Sequence, residues 1–327
     1  MLHKASVSLI AICLIATLFF LGCGSSETST PKPPSETAPT YNLALKFSPG
    51  TTSAYKSTTT VIKDFRFEQP TMGKLTEQQT KNSVVIQYSQ DVQSVDESGN
   101  ATLKITIDQL KVDLINKNDP QLSFDSQNES DKNSPLMKLI GQSYTIRMTP
   151  LGKVEVVDTK GALTAVTGPY ERKAAQNILD PKNIITRHEI SAMPNDPAMK
   201  LSANSAWSQI VPPLPDMFAP KSFEKTYTLT DIDEAIATIQ MTGGESAKPA
   251  EGVQSNAMNP LAKMFDNKDD YTGSMQINMK TGQVMTFEET LISSSLMQEM
   301  PENGDPEKGP DTLTMRFTNH VKLEKLN

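Results

Sequence analysis

The sequence predicts a mainly β protein of the α+β kind: a large curved antiparallel sheet, or two related β halves, with a few short helices. Three observations carry that expectation. Apolar residues recur with period two along most of the chain, clusters of turn residues separate these runs, and only one long segment has a helical pattern. In order, Tyr41, Leu43, Leu45 and Phe47 share one parity, SPGTTS turns the chain, and Tyr55, Thr59, Val61, Phe65 and Phe67 follow, which predicts a hairpin. Val84, Ile86, Tyr88 and Val92 lead into the turn DESGN at 96–100 and a return strand of Leu103, Ile105 and Ile107. There the parity slips to Leu110, Val112 and Leu114, so a β-bulge or bend is expected near Asp108 and Gln109. The last run, Leu313, Met315, Phe317, Val321 and Leu323, is equally regular. One apolar and one polar face is what an antiparallel sheet with a solvated side requires.

The helical segment is PYERKAAQNIL at 169–179, with Pro169 in the first turn and Asp180-Pro181 as a stop. Residues 119–133, 243–257 and 300–311 are rich in Gly, Asn, Ser, Asp and Pro and are expected to be long mobile loops. PLMKLI at 135–140 and PLAKMF at 260–265 share Pro, Leu and Lys at the same spacing, each before a Tyr-led strand and a Gly turn, YTIRMTPLGKVEVV and YTGSMQINMKTGQVMTF. A short helix feeding a hairpin is read as duplicated. The resulting plan is a first β-rich half at 41–158, a helical connector at 159–204 and a second half at 205–327.

Ahead of the body, residues 1–22 read as a secretory signal: Lys4, an apolar core of about 15 residues from Val7 to Leu21, then Gly22 before Cys23. A membrane-spanning helix needs about 20 apolar residues. The two cysteines are Cys13, inside that core, and Cys23, so a processed chain has no pair for an internal disulfide. LFFLGCGSS at 18–26 resembles the lipobox of bacterial lipoproteins, with Gly22 matching well and Phe20 and Leu21 departing from the usual leucine and small residue. The resemblance implies diacylglycerol attachment at Cys23, a membrane partner through that anchor, and a place on the cell membrane or outer membrane facing the periplasm or exterior. Gly24 in place of aspartate implies the outer membrane where the enteric sorting rule applies. A plain N-terminal anchor or an ordinary secreted protein are the alternatives. Residues 24–40, GSSETSTPKPPSETAPT, lack the apolar residues to fold and read as a disordered tether. Such a tether spans roughly 50 Å when extended.

In outline the strand-rich pattern resembles the periplasmic lipoprotein-carrier fold, a half-open β-barrel with helices over an apolar cavity. Leu43, Leu45, Phe47, Gly50 and Tyr55, with an isolated Trp207 at mid-chain, resemble more closely an uncharacterised family of bacterial lipoproteins, which implies no known activity.

The chemistry is sparse. A formal charge of −7, spread along the chain, argues against nucleic acid as a partner. Beyond the signal the histidines are His188 and His320, both expected at the surface; His188 in RHEI adjoins Glu189, where a general base is conceivable, but no G-x-S-x-G accompanies it. Zinc spacing is lacking, and DIDE at 231–234 and DNKDD at 266–270 lack the spacing of an EF-hand and are expected to be solvated turns. SSS at 293–295 reads as polar strand or loop. Twelve of the 16 methionines fall from Met193 onward. Core packing, copper(I) at Met297-x-x-Met300, or an adaptable apolar groove of Met241, Met275, Ile277, Met279 and Met315 are the readings weighed. The expectation is therefore a non-enzymatic, membrane-anchored lipoprotein without cofactor or metal that binds an apolar small molecule or an envelope protein. A structural component of the envelope is the alternative, and a hydrolase using His188 and Glu189 the third reading.

Overall fold

Period-two patterning becomes one sheet. The computed structural model describes residues 39–212, 222–248, 250 and 264–326. The first half supplies β1 (Thr52–Gln69), β2 (Lys74–Val95), β3 (Ala101–Asn116), β4 (Asp119–Asp125), β5 (Ser143–Met148) and β6 (Val154–Asp158). A connector follows with α1 (Lys160–Ala165), α2 (Pro169–Ile178) and α3 (Pro181–His188). The second half supplies β7 (Ala206–Val211), β8 (Phe223–Asp233), β9 (Ile236–Glu245), β10 (Asp266–Asn278), β11 (Gln283–Glu299) and β12 (Asp311–Lys325). All are antiparallel in a 12-stranded open sheet of order β6-β5-β3-β2-β1-β12-β11-β10-β9-β8-β7, with β4 paired on β3. The two halves are therefore one continuous sheet, joined where β1 pairs with β12.

The second half is a meander and the first is one apart from β4, which pairs on β3 beyond β5; β6 and β7 lie at opposite ends of the sheet, so the connector has to cross its face. Along that crossing His188 meets Tyr88 and Tyr144, Ser191 meets Glu289, and the carbonyl of Met193 accepts from Gln209. The covered face holds the core, with Ile86, Tyr88, Leu103, Ile105, Tyr227, Ile239, Met275 and Ile277 all buried. Pro39–Asn327 forms a compact unit with that core inside it. In β3 the parity slip is a bulge: Gln87 faces Gln109 and Tyr88 faces Ile107, leaving Asp108 extra. One inserted residue returns Leu110 and Val112 to the face already occupied by Leu103, Ile105 and Ile107, and all five are buried.

Several expectations are corrected. The segment 41–47 forms no hairpin with β1. It bridges Leu201 through Tyr41 and lies across two turns, Leu45 donating to Pro150 and Lys46 to Gly282, with Leu43 and Leu45 buried. Residues 119–125 are strand β4 rather than loop, and Pro120 fits there because β4 lies outside the main strand order. Residues 243–245 end β9, and 266–270 begin β10, so DNKDD is strand, not turn. Ser293–Ser295, read as polar strand or loop, are strand, and Ser293 and Ser295 are buried. Asp180-Pro181 does stop α2, but it also starts α3: the Asp180 carboxylate accepts from the Lys182 amide as N-cap and Pro181 takes the first turn. The 3₁₀ turn Pro135–Leu139 buries Leu136 and Leu139, whereas Met264, at the position matching Leu139 in the second copy, is 48% exposed. Residues 260–263 of that copy lie outside the described residues.

Two glycines hold the hairpin turns against their neighbours. Gly152, at φ +75°, would place a Cβ 2.8 Å from Ile190, and Gly282, at φ +65°, would place one 2.3 Å from the backbone of Lys46. Any side chain there displaces the segment lying on the turn.

Candidate functional site

Two polar clusters sit on the covered face, one in each half, and they differ in whether the space above them is filled. In the first half, α3 delivers Arg187 and His188 into the core at 4% and 1% exposure. Tyr144 of β5 bonds His188 Nε2 at 2.6 Å, and an Arg187 guanidinium nitrogen reaches the same phenol oxygen at 3.5 Å. Since that oxygen accepts from Arg187, its own proton is free to donate to His188. Burial, with the Arg187 charge beside it, drives the His188 pKa well below its usual 6.5, so the ring is neutral. Tyr88 stands edge-on to the ring at 4.9 Å and stacks on Tyr55 at 5.8 Å. Burial raises both phenols, Tyr55 to about 12. Arg187 also donates to the carbonyl of Ile178, the last residue of α2, where a positive charge meets the negative end of the helix. His188 is thus a core residue rather than a surface one. The Glu189 carboxylate pairs instead with Lys153 at 2.8 Å, so RHEI does not assemble a dyad.

In the second half, β8, β10 and β11 each place a polar side chain on the apolar face. Lys225 has the parity of Phe223 and Tyr227, and Glu289 that of Phe287 and Leu291. Glu289 Oε2 accepts from Lys225 Nζ at 3.2 Å, from Ser191 at 3.1 Å and from the Tyr271 hydroxyl. Both partners of the ion pair are largely buried, at 14% and 16% side-chain exposure. Lys225 Nζ also lies 4.2 Å from the centre of the Tyr271 ring, a cation–π contact. That ring lies against Gly243 of β9, where a Cβ would meet it at 3.1 Å. Burial and the neighbouring Glu289 charge raise the Tyr271 pKa, keeping the phenol a donor. Trp207 stacks on Tyr227 at 5.7 Å at the β7 side.

Above this cluster is a cavity of about 300 Å³, walled by Val211, Phe223 and Leu291 and rimmed by the Lys153–Glu189 pair. The lining's two lysines and two glutamates cancel in charge. Apolar walls around a few fixed polar groups are the usual make-up of a small-molecule site. A smaller hollow of about 50 Å³ lies at the seam of the two halves, between Tyr55, Tyr88 and His188 on one side and Val284 and Leu323 on the other.

Of the residues proposed from sequence as a groove, Met241, Met275 and Ile277 share the buried face of β9 and β10 with Met279 packed against the same core, whereas Met315 lies apart on β12. Met241, Met275 and Ile277 are fully buried in the core, and Met279 is half-buried at the β10–β11 turn, its carbonyl accepting from Lys46. Met315 faces Ser295, whereas Met275 faces Phe287, eight residues earlier on β11. Met297 lies on β11 and Met300 just beyond its end, 48% exposed. His320 lies on the face opposite Phe317, as expected, and bonds Thr290 at 2.9 Å. Among the described residues no group of acidic, histidine or cysteine side chains has the arrangement of a metal site. Cys23 lies outside the described residues. The signal that marks Lys225 and Glu289 in sequence is a charge at an inward-facing position of an otherwise apolar alternation.

No family model matches the chain, and no curated protein matches it. Among solved structures it aligns with one described as "Lipid-protein interactions in lipovitellin", at 12% identity and a TM-score of 0.41 over 86% of this chain and 26% of that one. The chain thus spans about a quarter of the length of that structure.

Proposed function

We propose that this protein is a lipid-anchored envelope protein, not an enzyme, whose sheet binds an apolar or amphipathic molecule in the cavity over Lys225, Tyr271 and Glu289. The observation that carries the ligand reading is that cavity, built of apolar walls around a polar cluster whose charges are already paired. A ligand there gains burial from Val211, Phe223 and Leu291 and needs no counter-charge of its own. Cys23, acylated after Gly22, is the proposed attachment point, with two or three chains entering the membrane for stable anchoring. Among the described residues no helix is long and apolar enough to cross a membrane.

Native mass spectrometry of residues 24–327, purified without detergent, tests the ligand. A lipid-sized adduct removed by solvent extraction supports the reading. A clean apo mass overturns it and favours a structural role, in which partners add to the open edges β6 and β7. Labelling with an alkyne fatty acid tests the anchor: label is expected on the wild type and absent from Cys23→Ser, and label that survives the substitution rejects Cys23.

A further inference from the structure

Beyond Leu291 the same face of the sheet carries a second hollow. Strand register puts Tyr271, Leu291 and Asn319 on one rung, and Leu291 and Asn319 both line the cavity. On the same face the next rung is Ser293, Phe317 and Lys63, then Ser295, Met315 and Phe65, then Met297, Leu313 and Phe67. The second hollow, of about 190 Å³, has Phe65, Met315 and Phe317 as its apolar part, with Ser293 and Ser295 beside them and the charged Lys63, Asp64, Lys117 and Arg316 around them. It begins on the rung adjoining the first cavity, and the two share strands β11 and β12.

We infer that the ligand is a single-chain amphiphile with an uncharged or zwitterionic end, its polar end over Lys225 and Glu289 and its hydrocarbon tail along β11 and β12 past Phe317 and Met315. This rests on the cavity reading above. The length fits: from Glu289 to Met297 the strand runs roughly 26 Å. That exceeds the roughly 15 Å depth of one bilayer leaflet, so a membrane acyl chain lies extended on it. The width fits one chain, because Phe317, Met315 and Phe65 form an apolar strip two strands wide, with Lys63 at its near corner, Ser293 and Ser295 along one side and Gln78 and Thr80 along the other. The balanced charges of the lining favour a head without net charge.

Monoacylglycerols with octanoyl, dodecanoyl and hexadecanoyl chains, presented below their micelle thresholds to residues 24–327, test this by native mass spectrometry. Affinity is expected to rise about fourfold for each added methylene through the series. Met315→Glu is expected to weaken hexadecanoyl binding at least tenfold and leave octanoyl binding unchanged. Phe65→Ser, which adds no charge, serves as the second variant, with unaltered urea midpoints checking that both fold. Affinity that stops rising after octanoyl, or that neither variant alters, overturns the tail track while leaving the cavity reading intact. Absence of binding at every length overturns both.

Discussion

Tyr144 and Tyr271 lead the two segments that the sequence marks as copies, and both are buried on the same face of one sheet with a hydroxyl bonded to an ionisable partner. Their surroundings differ in what lies above them. Over Tyr144, α3 lays down Arg187 and His188, and Tyr88 and Tyr55 fill the remaining space. Over Tyr271 the connector contributes Ser191 to a carboxylate supplied by the sheet itself and leaves a cavity. The difference teaches that a helical crossing only partly covers so wide a sheet. The half it covers becomes core, and the half it grazes keeps a polar floor open to a ligand.

The largest effect should come from opening the closed half. Tyr88→Ala removes a fully buried ring between Tyr55 and His188 and should cost about 3–5 kcal/mol in urea unfolding. A loss under about 1 kcal/mol would mean that this half is no more closed than the other. Next, Lys225→Met should cost about 3 kcal/mol by leaving Glu289 largely buried without its counter-charge. The double variant Lys225→Met/Glu289→Leu should recover most of that loss, because removing both charges removes the desolvation penalty with them. If the single variant is neutral, the floor of the cavity is wetter than its burial indicates.

How much of this contrast was legible in sequence depended on the kind of signal. Period two revealed the strands, and the slip between Ile107 and Leu110 revealed the bulge, because a buried face tolerates no change of parity. Leu43 and Leu45 carry the same alternation yet pair with no strand of the sheet: period two reports which side faces inward, and says nothing of the partner. Asp119–Asp125 hid as a loop because a strand outside the main order can be polar and carry proline. The Lys225–Glu289 pair was half visible, as inward charges in β8 and β11, but the strands are separated by β9 and β10 and nothing local announces that the charges meet. His188 passed for a surface residue because its burial is decided by Tyr144, 44 positions away.

A third prediction separates the halves by pH. His188 is neutral in the native state, faced by Arg187, Tyr144 and Tyr88, and its folded pKa lies well below 6.5. Below pH ~6.5 the unfolded chain takes up a proton that the native chain excludes, so stability falls as pH drops, by at most about 1.4 kcal/mol per pH unit from this group. The slope should flatten in His188→Gln and persist in Lys225→Met. Equal slopes for His188→Gln and wild type would show that the ring is protonated in the fold. The smallest effect belongs to the exposed rim: Lys153→Ala, which breaks the pair with Glu189, should change stability by less than about 1 kcal/mol.

The pairing of β1 with β12 also sets the order in which the molecule can be made. Tyr55 lies opposite Lys325, so the first long strand waits for β12, the last of the described strands, before its second edge is covered. Until then the meander of β1 to β6 exists as a half-sheet with a long unpaired edge at β1, the kind of surface that recruits other chains. Closing that seam is a contact of high sequence separation and is expected to be slow. A chain made from its N-terminus therefore has to keep β1 from foreign strands until β12 has been made, and truncation before β12 should yield aggregates rather than a shorter folded protein.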